Sequence, residues 1–109
     1  MYKRQDEVTI GVTGEKGRKE FLFDQCFTKA ATQDEVFEDC SHLIQSAFDG
    51  FNVCVFAYGQ TGSGKTFTMV GPPELPGLTP RAIGNIFDNR AALKGRSQVT
   101  ISCLSLIHI

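Results

Sequence analysis

Apolar and polar positions alternate at the start of the chain. Val8, Ile10 and Val12 are separated by Thr9 and Gly11, and Phe21 and Phe23 resume the alternation after the charged, glycine-containing stretch 13–19. A period of two predicts two half-buried strands joined by a turn. At Thr32-Gln33-Asp34-Glu35 the period changes. Thr32 at the N-cap and Glu35 three residues on form a capping box, which announces a helix. Val36, Phe37, Cys40, Leu43, Ile44, Ala47 and Phe48 then fall on one helical stripe, and Asp49-Gly50 stops it. The next segment, Asn52-Val53-Cys54-Val55-Phe56-Ala57-Tyr58, is short, apolar and partly β-branched. It predicts a buried strand.

Thr66-Phe67-Thr68-Met69 begins a second helix, which Gly71-Pro72-Pro73 should break after about two turns. Pro76-Gly77 prolongs the interruption. A further helix is predicted from Thr79-Pro80, with Thr79 as N-cap and Pro80 in the first turn. It turns Ile83, Ile86 and Phe87 inward and fades near Arg90 or Leu93, ahead of Gly95. Val99, Ile101 and Cys103 suggest a final strand. A long amphipathic helix leading into a buried strand predicts a layered α/β architecture. No repeat, low-complexity tract or internal domain boundary interrupts it.

At 109 residues the chain is at most one small domain. Its 41% hydrophobic and 21% charged content is ordinary for a soluble globular protein. A net charge of −1 gives no broad attraction for nucleic acid or an anionic membrane, so neither is expected as a partner. The longest apolar run, 53–58, is far too short to span a bilayer, and no secretory signal is visible. Lys16, Arg18 and Lys19 are flanked by Glu15 and Glu20, which reads as a solvated hairpin tip rather than a polyanion site. Cys26, Cys40, Cys54 and Cys103 show no metal-clip or redox spacing. They read as reduced structural thiols, with Cys54 inside the buried strand, and fit a cytosolic setting. His42 and His108 are isolated, and His42 falls on the polar side of its helix.

The chemistry concentrates in Gly59-Gln60-Thr61-Gly62-Ser63-Gly64-Lys65-Thr66. This run fits Gly-x-x-x-x-Gly-Lys-[Ser/Thr], a loop whose backbone N–H groups wrap nucleotide phosphates. The glycines let the backbone approach phosphate oxygens without a Cβ in the way. Lys65 is a point charge on a flexible stem that can reach the β- and γ-phosphates. Thr66 offers a hydroxyl to Mg²⁺, a hard cation that takes oxygen ligands. Strand, glycine loop and helix is the order such a site needs, because a helix N-terminus adds partial positive charge at the phosphates. A flexible Gly/Ser linker is the bland alternative, but linkers rarely follow a buried strand directly.

Together these segments resemble the kinesin motor domain, over roughly residues 21–104. The resemblance rests on Phe21-Leu22-Phe23-Asp24-Gln25-Cys26-Phe27, on Gln33-Asp34-Glu35-Val36-Phe37, and on 49–58 running through the phosphate loop into Phe67-Thr68-Met69. Gly77-Leu78-Thr79-Pro80-Arg81-Ala82-Ile83 completes the set. Within the family, Leu43-Ile44-Gln45-Ser46-Ala47 and Asn52-Val53-Cys54-Val55-Phe56 look like the C-terminal-motor, minus-end-directed group. The resemblance implies an incomplete phosphate-loop NTPase fold, a layered sheet with flanking helices. It also accounts for the broken helix, since kinesins carry a loop insertion there, at about 71–77 in this chain.

On the same resemblance, Gly59, Gln60, Thr61, Gly62, Ser63, Gly64, Lys65 and Thr66 bind ATP, and Thr66 helps hold Mg²⁺. Phe67 occupies a position where kinesins place a side chain beside the adenine; core packing is its other role. The parent is expected to be a cytoplasmic, cytoskeletal motor that moves along microtubules, dimeric through a coiled coil. Several family elements do not occur in these 109 residues. They are the two switch motifs that sense the γ-phosphate and organise water, the base-cradling Arg/Pro segment, and the microtubule-gripping parts. Without the switches, no catalytic residue is assigned. Phe21-Leu22-Phe23-Asp24 imitates a metal-binding strand but precedes the loop, so it receives no metal role. Residues 105–109 depart from the family's acidic residue and Tyr, and read as a non-native tail. The alternative function is a stand-alone nucleotide-binding module without motor activity. A GTPase is disfavoured by the lack of an Asn-Lys-x-Asp motif.

Overall fold

The computed structural model describes residues 9–106. Val8, His108 and the last three positions of the 105–109 tail lie outside the described residues. The elements follow in the order β1 (Thr9–Gly14), β2 (Gly17–Leu22), α1 (Gln33–Phe48), α2 (Lys65–Met69) and α3 (Leu78–Ala92).

β1 and β2 form an antiparallel hairpin in which Ile10 faces Phe21 and Val12 faces Lys19. Ile10 and Phe21 are therefore a direct cross-strand pair on one face. The ladder runs as far as Gly14 opposite Gly17, so the turn is tighter than the 13–19 stretch expected from charge alone. Arg18 reaches Glu20 at 3.6 Å in full view of solvent, which agrees with a solvated tip.

The α1 capping box forms as expected. The Glu35 N–H donates to Thr32 Oγ1 at 3.2 Å, and the Thr32 N–H donates to Glu35 Oε2 at 3.1 Å. The stripe on α1 turns toward α3, and all of it except Ala47 is half-buried. His42 is exposed, as its polar position requires.

Two helix boundaries differ from expectation. α2 spans only five residues, because the chain leaves the helix at Val70 and Gly71 ahead of the prolines. α3 starts at Leu78 with Gly77, not Thr79, as N-cap. The cause is a close approach. A Cβ on Gly77 would lie 2.5 Å from the Thr68 carbonyl oxygen, while the Gly77 N–H donates to Val70 O at 2.8 Å. That contact anchors the chain two residues earlier than the Thr-Pro signal suggests. Pro80 still falls among the first helical positions, whose N–H groups have no intrahelical acceptor, so its missing proton costs nothing.

The apolar run 52–58 is the larger correction. It joins no ladder, and neither does 99–103. Val53 and Val55 are 36% and 38% exposed, whereas Phe56 is 87% exposed and Tyr58 fully so. Cys54, expected inside a buried strand, is exposed as well. The pattern of residues suits a strand with neighbours on both edges and layers on both faces. Among the described residues, the only ladder is the hairpin's, so 52–58 has no strand at either edge.

Between α1, α3 and this segment lies an apolar cavity of about 190 Å³, lined by Phe37, Ile44, Val55, Met69 and Ile83 among others. No apolar side chain among the described residues is fully shielded from solvent. The Cα radius of gyration is 17.1 Å. A close-packed globule of 100 residues measures about 13 Å.

Candidate phosphate-binding site

Residues 59–66 link the 52–58 run to α2. Gly64 caps α2 in the left-handed conformation, with φ 97° and ψ 15°, and Gly62 also has positive φ at 83°. A Cβ-bearing residue reaches such angles only with strain, so both positions favour glycine. Between them, the Ser63 N–H donates to Gln60 O at 3.1 Å, which curls the loop back on itself. The loop closes tightly enough that a Cβ on Gly59 would sit 2.4 Å from Ser63 Oγ.

Lys65 is the first residue of α2, and its ammonium donates to Gly59 O at 2.6 Å across the mouth of the loop. The hydrogen bond from the Thr68 N–H to Gly64 O, 3.0 Å, starts the helical ladder. The N–H groups of Lys65, Thr66 and Phe67 therefore have no intrahelical acceptor. Lys65 and Gly59 are half-buried, whereas Gln60 to Gly64, Thr66 and Phe67 are exposed. Free N–H donors, an ammonium and a hydroxyl are thus gathered at one solvent-facing turn.

These residues fit the triphosphate of a nucleotide. Left-handed glycines and a helix start form an anion-binding concavity. Among the described residues no group of three His, Cys, Asp or Glu side chains could hold a metal ion. A Mg²⁺ ion here would be held through the Thr66 hydroxyl, phosphate oxygens and water, as this ion commonly is.

The side chains behind the loop escaped sequence reasoning. Gln33 Nε2 donates to Phe67 O at 2.8 Å and to Leu75 O at 3.3 Å. Asp34 pairs with Arg81 on α3, and Arg81 Nε donates to Pro76 O at 2.8 Å. Gln33 and Asp34 sit inside the capping-box tetrapeptide, so the local signal hides their long-range partners. Cys40, half-buried on α1, has its thiol pushed above the usual range by desolvation, with the nearby Asp39 carboxylate adding to the effect. All four cysteines are free. An open depression of about 490 Å³ at the end of α3, lined by Phe87, Arg90 and Lys94 among others, shares no residue with the loop.

A family model described as the kinesin motor domain matches residues 2–109. The kinesin-like protein KIN-14E of Arabidopsis thaliana is 58% identical over 71 residues, 65% of this chain and 6% of that protein. The kinesin-like protein KIFC1 of Homo sapiens is 53% identical over 83 residues, 72% of this chain and 12% of that protein. Among solved structures, the motor domain of the Kar3-like kinesin from Ashbya gossypii superposes with a TM-score of 0.73 at 42% identity. That match covers 81% of this chain and 29% of the other. The chain therefore spans a small part of the length of each relative. The superposition bears out the phosphate-loop NTPase fold class, of which the hairpin and helices here are a portion.

Proposed function

This chain belongs to the kinesin motor-domain family, and on that premise we propose that residues 59–66 bind Mg-ATP within a longer microtubule motor. The observation that carries the reading is the turn at Gly62-Ser63-Gly64, which opens onto the start of α2 beside the Lys65 ammonium. The backbone N–H groups of Lys65 and Thr66, at the start of α2, would bind phosphate oxygens. Lys65 would exchange the Gly59 carbonyl for the β- and γ-phosphates, a charged acceptor in place of a neutral one, which would strengthen the hydrogen bond. Thr66 presents its hydroxyl to Mg²⁺, which when bound neutralises phosphate charge. The exposed ring of Phe67 would lie beside the adenine.

Hydrolysis depends on positioned groups around the γ-phosphate, so it is completed by the two switches in the rest of the motor domain. Microtubule contact likewise belongs to parts of the motor domain outside this chain, and dimerisation to a coiled coil. The relatives include C-terminal motors, which agrees with the resemblance of 43–47 and 52–56 to that group. No helix among the described residues is long and apolar enough to cross a membrane, and the cytoskeleton is the proposed location.

Titration of the full-length protein with a fluorescent ATP analogue and Mg²⁺ tests the site. Saturable binding that disappears in Lys65→Ala is expected. No binding by the unaltered protein at millimolar nucleotide would overturn the assignment.

A further inference from the structure

Gln33 is the one buried polar side chain among the described residues, at 8% exposure. Its amide nitrogen donates two hydrogen bonds, to the carbonyl oxygens of Phe67 and Leu75. Only the NH₂ end of the amide can serve two such acceptors, which fixes its orientation. The two acceptors lie on either side of the Gly71 break: Phe67 within α2, and Leu75 near the end of the 71–77 excursion. The excursion is closed on itself by Leu75 N–H to Pro72 O at 3.0 Å and Gly77 N–H to Val70 O at 2.8 Å. Asp34, the next residue of α1, pairs with Arg81, which donates to Pro76 O at 2.8 Å. The first turn of α1 thus grips α2 and the excursion together.

α2 needs an external grip. Five residues are too few for a helix to hold its own shape in water. Its direction nevertheless decides whether the N–H groups of Lys65 and Thr66, the ammonium and the hydroxyl converge on one point. Phe67, one residue beyond Thr66, is where Gln33 holds it.

We infer that Gln33 is a positioning residue for nucleotide binding: its amide fixes α2 and ties the phosphate loop to the 71–77 excursion and the start of α1. The inference rests on the nucleotide reading given above. Because coupling between two sites is reciprocal, nucleotide bound at 59–66 must in turn steady the excursion and the first turn of α1.

Hydrogen exchange on the unaltered full-length protein tests the coupling without any substitution. Added Mg²⁺ and a non-hydrolysable ATP analogue should slow exchange at 59–67, at 71–77 and at the first turn of α1. Protection confined to 59–67 would overturn the inference while leaving the nucleotide reading intact. No protection anywhere, with no nucleotide bound, would remove both. Gln33→Met keeps the length of the side chain and removes both donors. It should weaken nucleotide affinity about tenfold, raising KM while kcat at saturation stays within about twofold. Phe48→Ala, which removes packing at the other end of α1 from Gln33, is the comparison. Equal changes in KM for the two variants would reduce Gln33 to a packing role and sink the proposal. If Gln33→Met fails to fold, the exchange pattern of the unaltered protein decides.

Discussion

Arg81 on α3 pairs with Asp34 on the first turn of α1, across 47 residues of chain. The two ends of the pair differ in setting. The Arg81 side chain is 22% exposed and also donates to Pro76 O, whereas the Asp34 side chain is 81% exposed. An ion pair with one end so open to water contributes little by itself. Asp34→Asn should therefore lower stability by less than ~1 kcal/mol. Arg81→Ala should cost more, since it also strands the Pro76 carbonyl and removes the packing of a long side chain. Denaturant midpoints of the two variants in the full-length protein check this. Equal losses would mean that the ion pair, not the carbonyl contact, joins the helices.

The capping box gives a second, local prediction. Thr32 Oγ1 accepts from the Glu35 N–H while Glu35 Oε2 accepts from the Thr32 N–H. Thr32→Ala removes an N-cap and should cost about 1 kcal/mol. Thr32→Ser keeps the oxygen and should restore most of it. Urea unfolding of the pair distinguishes the lost hydrogen bond from the lost methyl group.

Local signals were the legible part of this chain. Thr32 and Glu35, the α1 stripe and the alternation around Ile10 and Phe21 each act within a few residues, and each element formed, although both hairpin strands are exposed rather than half-buried. The turn of the candidate phosphate loop was legible for the same reason: Gly62 and Gly64 take the positive φ that glycine favours. What failed depends on neighbours distant in sequence. Val53 and Val55 need strands on either edge to become a ladder, and among the described residues none pairs with them. The α3 start moved because Gly77 meets the Thr68 carbonyl, a contact no Thr-Pro signal encodes. Gln33 was invisible because an amide at the first turn of a helix looks like any solvated side chain until its acceptors are known.

Cys40 carries a pH prediction. Burial and Asp39 raise its thiol pKa in the fold, so the folded state holds its proton at pH values where the unfolded chain has released it. Stability then falls with rising pH, because the unfolded state binds fewer protons there. The contribution is complete below the unfolded thiol value of about 8.5 and is lost as pH climbs through the higher folded value. Thermal midpoints of the full-length protein should decline more steeply between those two values than those of Cys40→Ala. Alkylation offers an independent check, since the exposed Cys54 and Cys103 should react before the half-buried Cys40. Faster modification of Cys40 would contradict its placement on the packed face of α1.

The last prediction separates charge from geometry at the loop. Lys65 spans the mouth of the loop to Gly59 O at 2.6 Å, a single bond that a compact ammonium can leave and remake. Arginine keeps the charge but replaces a rotatable point donor with a rigid planar fork on a longer reach. Lys65→Arg should therefore lose nucleotide affinity nearly as fully as Lys65→Ala, while the melting temperature stays close to that of the unaltered protein. Gly64→Ala should do the reverse in part. Forcing a Cβ into the left-handed cap at φ 97° costs about 1–2 kcal/mol of stability, and affinity falls because the N–H groups that follow it are re-aimed. Parallel titration and melting of the two variants provide the measurement. Retained affinity in Lys65→Arg would show that positive charge alone suffices, and that the short contact to Gly59 has no part in placing it.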